Sequence, residues 1–336
     1  MVNSTHFFVN IWITFNCNFR CRYCYVNTGC EHSNMKQDVA DQVINFIKKN
    51  IKPDQELVIN FHGGEPIINF EMVKYIVDKC ESVFQNKVSF GITTNASLLD
   101  DYKINYLAEK FNYNLSVSID GDKETHIHNR IANNPEDTYI KIMQNADNLL
   151  VKNLHTRIRM TFDRENVDKL FTNVKLFIDK GYKYIVPAPD IFSMNWSEED
   201  LEKLEEQLCK IKEYIQDKDI KINLVSEELQ CLSTCTAGND YYSIDPEGNI
   251  YPCTFLVGKT EMIIGDCING INSDSLDKIN NLLEKKVESC SKCVVNDKCL
   301  GARCIFTNYV TMGDFYTPNL VECNMMYLRL KVNGYI

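Results

Sequence analysis

The sequence predicts an α/β fold: a partial (β/α)6 barrel in residues 1–225, followed by a small cysteine-rich α+β domain in residues 226–336. Three observations carry this reading. Short β-rich runs alternate with amphipathic stretches through the first half, the pattern of repeated βα units around a parallel sheet. The repeats number six, fewer than the eight of a closed barrel. Beyond about residue 225 the chain becomes rich in cysteine and turn signals.

Runs rich in β-branched and aromatic residues at 8–14, 57–61, 88–93, 115–119, 156–161 and 184–186 read as strands. Between them apolar residues recur at helical spacing, as in Val39, Val43, Ile44 and Ile47, and again in Leu170, Val174, Phe177 and Ile178. After Pro187 and Pro189 the character changes. Segment 197–216 is charged, with Leu201, Leu204, Leu208, Ile211 and Ile215 on one face. It opens on Ser197 three residues ahead of Asp200, a capping arrangement, and its acidic run reads as a solvated helix face. Asp245-Pro246-Glu247-Gly248-Asn249 is a turn signal inside the cysteine-rich part.

The 336 residues are 44% apolar and 24% charged, enough for a sizeable core and inconsistent with intrinsic disorder. Lys and Arg number 36 against 46 Asp and Glu, a net charge of −10 that repels polyanions and argues against nucleic acid as a partner. No apolar run reaches the ~18 residues of a membrane span. The first basic residue is Arg20, so the positively charged start of a secretory signal is missing. A cytoplasmic location without a membrane partner is expected. Cysteine is the abnormal count: 15, an odd number, crowded into two places. A chain of this size without a signal keeps its thiols reduced, which makes metal or redox chemistry the leading reading.

The first cluster, Cys17-Asn-Phe-Arg-Cys21-Arg-Tyr-Cys24, directly follows the first strand. Three thiols on such a loop can wrap three corners of a [4Fe–4S] cube and leave one iron open. A zinc loop is the alternative, although zinc sites usually show paired C-x-x-C elements and a fourth ligand. The pattern CxxxCxΦC, with Tyr23 as the aromatic residue, resembles the radical S-adenosylmethionine (SAM) superfamily. That resemblance implies an open iron chelated by the amino and carboxylate groups of SAM. It also implies reductive cleavage of the sulfonium to a 5′-deoxyadenosyl radical, chemistry that belongs to the cofactor.

Further matches follow in chain order. His62-Gly63-Gly64-Glu65-Pro66 is similar to the family segment at the SAM amino group, although a tight turn before a helix explains Gly-Gly-x-Pro equally well on its own. Thr94-Asn95 and Ser118-Ile119-Asp120-Gly121 end the third and fourth strands and are similar to segments approaching the ribose and carboxylate of SAM. Arg130, in His126-Ile-His-Asn-Arg130, matches the family arginine, while His126 and His128 read as polar loop residues. The cofactor-binding residues implied by the resemblance are thus Tyr23, Gly63, Gly64, Glu65, Pro66, Thr94, Asn95, Ser118, Asp120 and Arg130.

The second cysteine field comprises Cys235, Cys253, Cys290, Cys293, Cys299, Cys304 and Cys323, with Gly248 between the first two. It resembles the SPASM extension of radical SAM maturases, except that four residues rather than three separate Cys299 from Cys304. The resemblance implies two auxiliary [4Fe–4S] clusters. Cys235, Cys253 and Cys304 would hold the first, and Cys290, Cys293, Cys299 and Cys323 the second. Cys231, four residues before Cys235, closes the first auxiliary cluster if it binds; otherwise an open iron could accept a substrate thiolate. A zinc ribbon of Cys290, Cys293, Cys299 and Cys304 is the other reading. Eleven cysteines are thereby assigned to iron. Cys80 and Cys209 read as small core residues, and Cys30 and Cys267 carry no assigned role.

The resemblance implies a peptide or protein substrate and a reducing partner such as flavodoxin or ferredoxin. The expected reaction is hydrogen abstraction from a residue of a ribosomally made peptide, leading to a thioether or carbon–carbon cross-link. The alternative is an anaerobic sulfatase maturase forming formylglycine from Cys or Ser. Those enzymes carry an Asp after the residue matching Cys253, whereas this chain has Thr254, whose hydroxyl is a poor general base. A tRNA-modifying enzyme is disfavoured by a pI of 5.2, and a non-enzymatic electron carrier would need no SAM segments. Only 16 residues precede Cys17, so leader recognition is expected from a separate leader-binding protein or a groove on this one. No catalytic base is assigned.

Overall fold

The computed structural model describes residues 5–27, 33–226, 235–285, 287–299 and 304–336. The chain packs as two compact units, one of residues 1–20, 24–115 and 234–285, the other of residues 21–23, 116–233 and 286–336. Among the described residues no helix is long and apolar enough to cross a membrane.

In chain order the first unit opens with β1 (His6–Trp12) and β2 (Phe19–Cys21), then α1 (Gln37–Asn50), β3 (Glu56–His62), α2 (Phe70–Phe84), β4 (Val88–Thr94) and α3 (Asp101–Lys110). Strand β5 (Asn114–Ser118) carries the chain onward to α4 (Lys123–Asn129), β6 (Arg130–Ala132), α5 (Pro135–Lys152), β7 (Arg157–Phe162) and α6 (Leu170–Asp179). Then come β8 (Tyr184–Pro189), α7 (Glu198–Ile215) and β9 (Lys221–Ile222). The first unit is completed by β10 (Tyr241–Ile244), β11 (Asn249–Tyr251), β12 (Gly265–Asp266), β13 (Gly270–Ile271) and α8 (Ser273–Glu284), and the second by α9 (Ile305–Met312) and α10 (Leu320–Val332).

All six strands expected from the sequence form, and the α/β class holds. In the first unit the strand order is β13-β12-β11-β10-β1-β3-β4. There β10, β1, β3 and β4 run parallel, while β11, β12 and β13 add an antiparallel meander. In the second unit β5, β7, β8 and β9 are parallel neighbours.

Alternation along β1 decides which face holds the core. Phe7, Val9 and Ile11 are buried on one face, where Phe7 meets Tyr242 at 5.3 Å and Phe46 of α1 meets that same ring edge-on at 5.7 Å. The opposite face carries Phe8, Asn10 and Trp12. A parallel sheet usually shows near-continuous apolar strands. This one instead places Ser243, Asn10, Asn60 and Gly91 side by side across four strands. Asn60 Nδ2 donates to Asn10 Oδ1 at 3.3 Å, and Asn10 Nδ2 to Ser243 Oγ at 3.4 Å. Polar side chains in register on a β-face away from the helices are the composition of a lined site, since they forgo hydrophobic packing.

Helix α7 begins as its sequence signals. Ser197 Oγ accepts the Asp200 N–H, and Asp200 returns the bond to the Ser197 N–H. Leu204, Leu208, Ile211 and Ile215 are buried along its stripe. Cys209, expected in the core, is exposed, because one step past Leu208 rotates it off that stripe. Cys80 is buried as expected, and burial pushes its thiol up to about 12, which keeps it protonated and inert.

Candidate active site

In the first unit the Gly-Gly-Glu segment after β3 is fixed by backbone. A Cβ on Gly63 would lie 2.3 Å from Thr14 O, and one on Gly64 2.2 Å from Asn16 O. Gly63 also has φ +149, so both positions demand glycine. The approach lets the Gly64 N–H bond Thr14 O at 2.9 Å and the Glu65 N–H bond Asn16 O at 2.8 Å. The glycines thus splint the segment leading into the first cysteine loop.

Glu65 is buried and N-caps the short 3-10 helix Pro66–Asn69, whose first residue Pro66 needs no donor there. Its carboxylate accepts from Ile67 N at 3.1 Å, Thr94 Oγ1 at 2.6 Å and Asn95 N at 2.7 Å. The ends of β3 and β4 are thereby tied together. Asn95 Nδ2 donates to Asn18 Oδ1 at 2.9 Å, Asn18 Nδ2 to Ser97 Oγ at 2.8 Å, and Ser97 Oγ to Asn95 Oδ1 at 2.6 Å. This closed ring is held by Ala96 at φ +59, a conformation that a non-glycine residue adopts only under constraint. Asn18, beside Cys17, and Ser97 escaped sequence reasoning because the ring closes between residue 18 and a turn almost eighty residues later, which leaves no local motif.

In the second unit Asp120 follows β5, which ends at half-buried Ser118. Its carboxylate accepts from Tyr23 Oη at 2.7 Å, Arg130 Nη2 at 3.1 Å and Thr161 N at 2.9 Å. Arg130 lies over the Tyr23 ring at 5.3 Å, with Nη1 at 4.0 Å from Cys21 Sγ. Burial opposes the guanidinium charge, but Asp120, Tyr23 and Cys21 outweigh it and hold Arg130 protonated. Burial, more than any neighbour, drives the Tyr23 phenol well above its ordinary range, so it stays a neutral donor. His126 and His128 lie on α4 rather than in a loop. His128 pairs with Glu165 at 3.4 Å on the surface, whereas His126 is buried.

The thiols fall into groups. Cys17, Cys21 and Cys24 are half-buried, Cys21 at the end of β2 and the other two flanking that strand, and Cys17 Sγ accepts the Phe19 N–H at 3.4 Å. In the first unit, burial first and then the Cys253 sulfur raise the Tyr241 phenol, with Tyr25 and Cys235 adding to it. Cys235 and Cys253 are therefore both within electrostatic reach of the half-buried Tyr241 hydroxyl. Trp12 Nε1 donates to Thr254 Oγ1 at 3.2 Å, and Trp12 meets Tyr25 at 6.3 Å, a ring that in turn meets Phe255 at 5.7 Å. In the second unit, burial and then Cys299, Cys290 and Cys293 push the Cys323 thiol up to about 11. Cys299 and Cys323 pack with Val295, Met326 and Leu330. Cys304 caps α9, its Sγ accepting the Thr307 N–H at 3.5 Å. Cys231 and Cys30 lie outside the described residues. No three His, Cys, Asp or Glu side chains among the described residues converge on a point that one metal ion could occupy; a cube instead takes one thiolate at each of several separate corners.

Known proteins resemble this chain in sequence and in fold. The radical SAM superfamily model matches residues 11–177. The radical SAM cyclopropyl synthase TigE of Paramaledivibacter caminithermalis is 22% identical over 96% of this chain and 73% of its own. The cysteine-type anaerobic sulfatase-maturating enzyme of Clostridium novyi is 23% identical over 72% of this chain and 71% of its own. Among solved structures, native anSMEcpe with bound AdoMet and a peptide superposes with TM-score 0.79 at 19% identity, over 98% of this chain and 97% of that one. Streptococcus suis SuiB bound to its precursor peptide SuiA gives TM-score 0.69 at 18% identity, over 95% and 76%. At these identities the solved structures establish a shared fold. The chain belongs to the radical SAM superfamily and is an enzyme of it, and membership implies a [4Fe–4S] cluster with SAM.

Proposed function

We propose that this chain is a radical SAM peptide maturase that abstracts hydrogen from a residue of a ribosomally made peptide and thereby forms a thioether or carbon–carbon cross-link. The observation that carries this reading over formylglycine formation is at position 254. The Thr254 hydroxyl accepts the Trp12 indole N–H, and a neutral hydroxyl held in that bond does not serve as a proton-abstracting base where sulfatase maturases carry an Asp.

Cys17, Cys21 and Cys24 would hold the SAM-binding cluster, and their donor chemistry fits it: three thiols within eight residues, one of them, Cys21, with Arg130 Nη1 at 4.0 Å from its sulfur. Bound there, the cluster and SAM supply reductive cleavage of the sulfonium and the carbon radical that follows from it. The chain contributes position and field. Glu65, Thr94 and Asn95 lock the strand ends, Gly63 and Gly64 fix the loop, and Arg130 keeps a planar cation suited to a carboxylate. Tyr23, Pro66, Ser118 and Asp120 complete the proposed SAM contacts. Cys231, Cys235, Cys253 and Cys304 would hold one auxiliary [4Fe–4S] cluster and Cys290, Cys293, Cys299 and Cys323 the other; the shared electrostatic neighbourhood of the last four supports their grouping. A reducing partner such as flavodoxin or ferredoxin completes the proposal.

Two experiments test it. Reconstituted protein under reduction releases 5′-deoxyadenosine, and Cys24→Ala abolishes that release; unchanged cleavage in the variant removes the first loop from the reaction. Co-expression with a short Cys-rich or aromatic-rich peptide encoded beside the gene should yield peptide lighter by two hydrogens, by mass spectrometry. Conversion of a Cys to an aldehyde with loss of sulfur would replace cross-linking by formylglycine formation.

A further inference from the structure

Among the described residues of the second unit, six buried side-chain polar atoms have no hydrogen-bond partner, and three of them sit on two neighbouring residues: His126 Nδ1, His126 Nε2 and Arg130 Nε. They belong to residues four apart at the end of α4, joined by the bond from the Arg130 N–H to His126 O. His126 is 2% exposed and Arg130 8%. The imidazole packs on the Tyr139 ring at 5.3 Å, and Tyr139 Oη donates to Gly121 O at 3.1 Å, so packing fixes the ring while its nitrogens go unmatched. Orphaned polar atoms at this depth are costly and call for an occupant. The other guanidinium nitrogens are engaged, Nη2 on Asp120 and Nη1 toward Cys21. A guanidinium only donates, whereas a neutral imidazole offers one acceptor and one donor. Burial, reinforced by Arg130, lowers His126 to about 4, so the ring is neutral and its acceptor available at physiological pH.

We propose that His126 is a positioning residue that, through one buried water bonded to Arg130 Nε, fixes the roll of the guanidinium and so keeps its Nη1 donor on the sulfur of Cys21. The inference rests on the assignment of Cys21 to the SAM-binding cluster. A donor and a positive charge at a cluster sulfur stabilise the reduced state and raise the potential. A buried water needs at least two polar partners, and the imidazole acceptor and the Nε donor supply two.

The test uses full-length, anaerobically reconstituted protein and three variants: His126→Phe, which keeps the ring packing and removes both nitrogens, and His126→Gln and His126→Asn, which restore an acceptor. An EPR-monitored redox titration follows the signal that changes on adding SAM, with unfolding temperature recorded in parallel. His126→Phe is expected to hold about tenfold less reduced cluster at a fixed potential, a negative shift of about 59 mV for one electron, and at least one amide variant to recover most of it. Equal potentials in wild type and His126→Phe overturn the proposal, as do equal shifts in all three variants, which would mark His126 as packing alone. If His126→Phe does not fold, the comparison of Gln and Asn with wild type decides together with a high-resolution crystal structure, in which no water between imidazole and Nε overturns it. Wild-type protein that takes up no iron at the first loop would sink the assignment of the cluster as well; an unchanged potential in iron-loaded protein sinks only the role of His126.

Discussion

Replacing Glu65 by Gln exchanges one acceptor oxygen for an amide that faces donors, since Ile67 N, Thr94 Oγ1 and Asn95 N already converge on the carboxylate. Glu65→Gln is expected to cost about 1–3 kcal/mol of stability, measured by urea unfolding. The sequence marked Glu65 as a ligand-facing carboxylate, but not as the cross-tie between two strand ends, because its donors arrive from backbone and from a strand 29 residues away. His126 shows a similar limit: burial and not residue type sets its state. Its folded pKa of about 4 lies below the ordinary 6.5, so below pH 6.5 the unfolded chain binds the extra proton. The stability it contributes is present above that value and is lost as pH falls toward 4. Lowering the pH from about 7.5 to about 5.5 should cost on the order of 1 kcal/mol from this residue alone, and His126→Gln should flatten that part of the pH profile.

At the scale of elements, α7 was readable to within a residue or two, because its cap and stripe are both local signals. Ser197→Ala removes the acceptor for Asp200 N and should destabilise by about 1 kcal/mol, seen as a lowered unfolding midpoint with unchanged denaturant slope. The six parallel strands were readable for a similar reason, since β-branched runs bounded by turn residues carry their own period. The Gly-Gly-Glu segment was readable as a motif, but the cause of its glycines was not. They make room for the backbone of 14–16, a contact that only the folded pairing of β1 with β3 creates.

For the whole molecule, the assignment of eleven cysteines to three clusters makes a countable prediction: about twelve irons per chain, four per cube. Cys323→Ala or Cys299→Ala should lose about a third of them while SAM cleavage persists, by iron analysis and Mössbauer spectroscopy. The grouping of Cys290, Cys293, Cys299 and Cys323 came from the SPASM resemblance, since spacing alone does not separate them from Cys304 in the same late stretch; the first three do act on the Cys323 thiol. Spacing could not show that residues 234–285 return to the unit begun by residues 1–20. Pairing of β10 with β1 joins Tyr241 to Phe8 across more than two hundred residues. On the ribosome that edge of β1 therefore waits, its N–H and C=O groups uncovered, for roughly ten to fifty seconds of synthesis at ordinary elongation rates. The nascent chain is a natural client for chaperones over that interval, and slow expression in the cold should lower its yield of soluble protein unless such helpers are supplied.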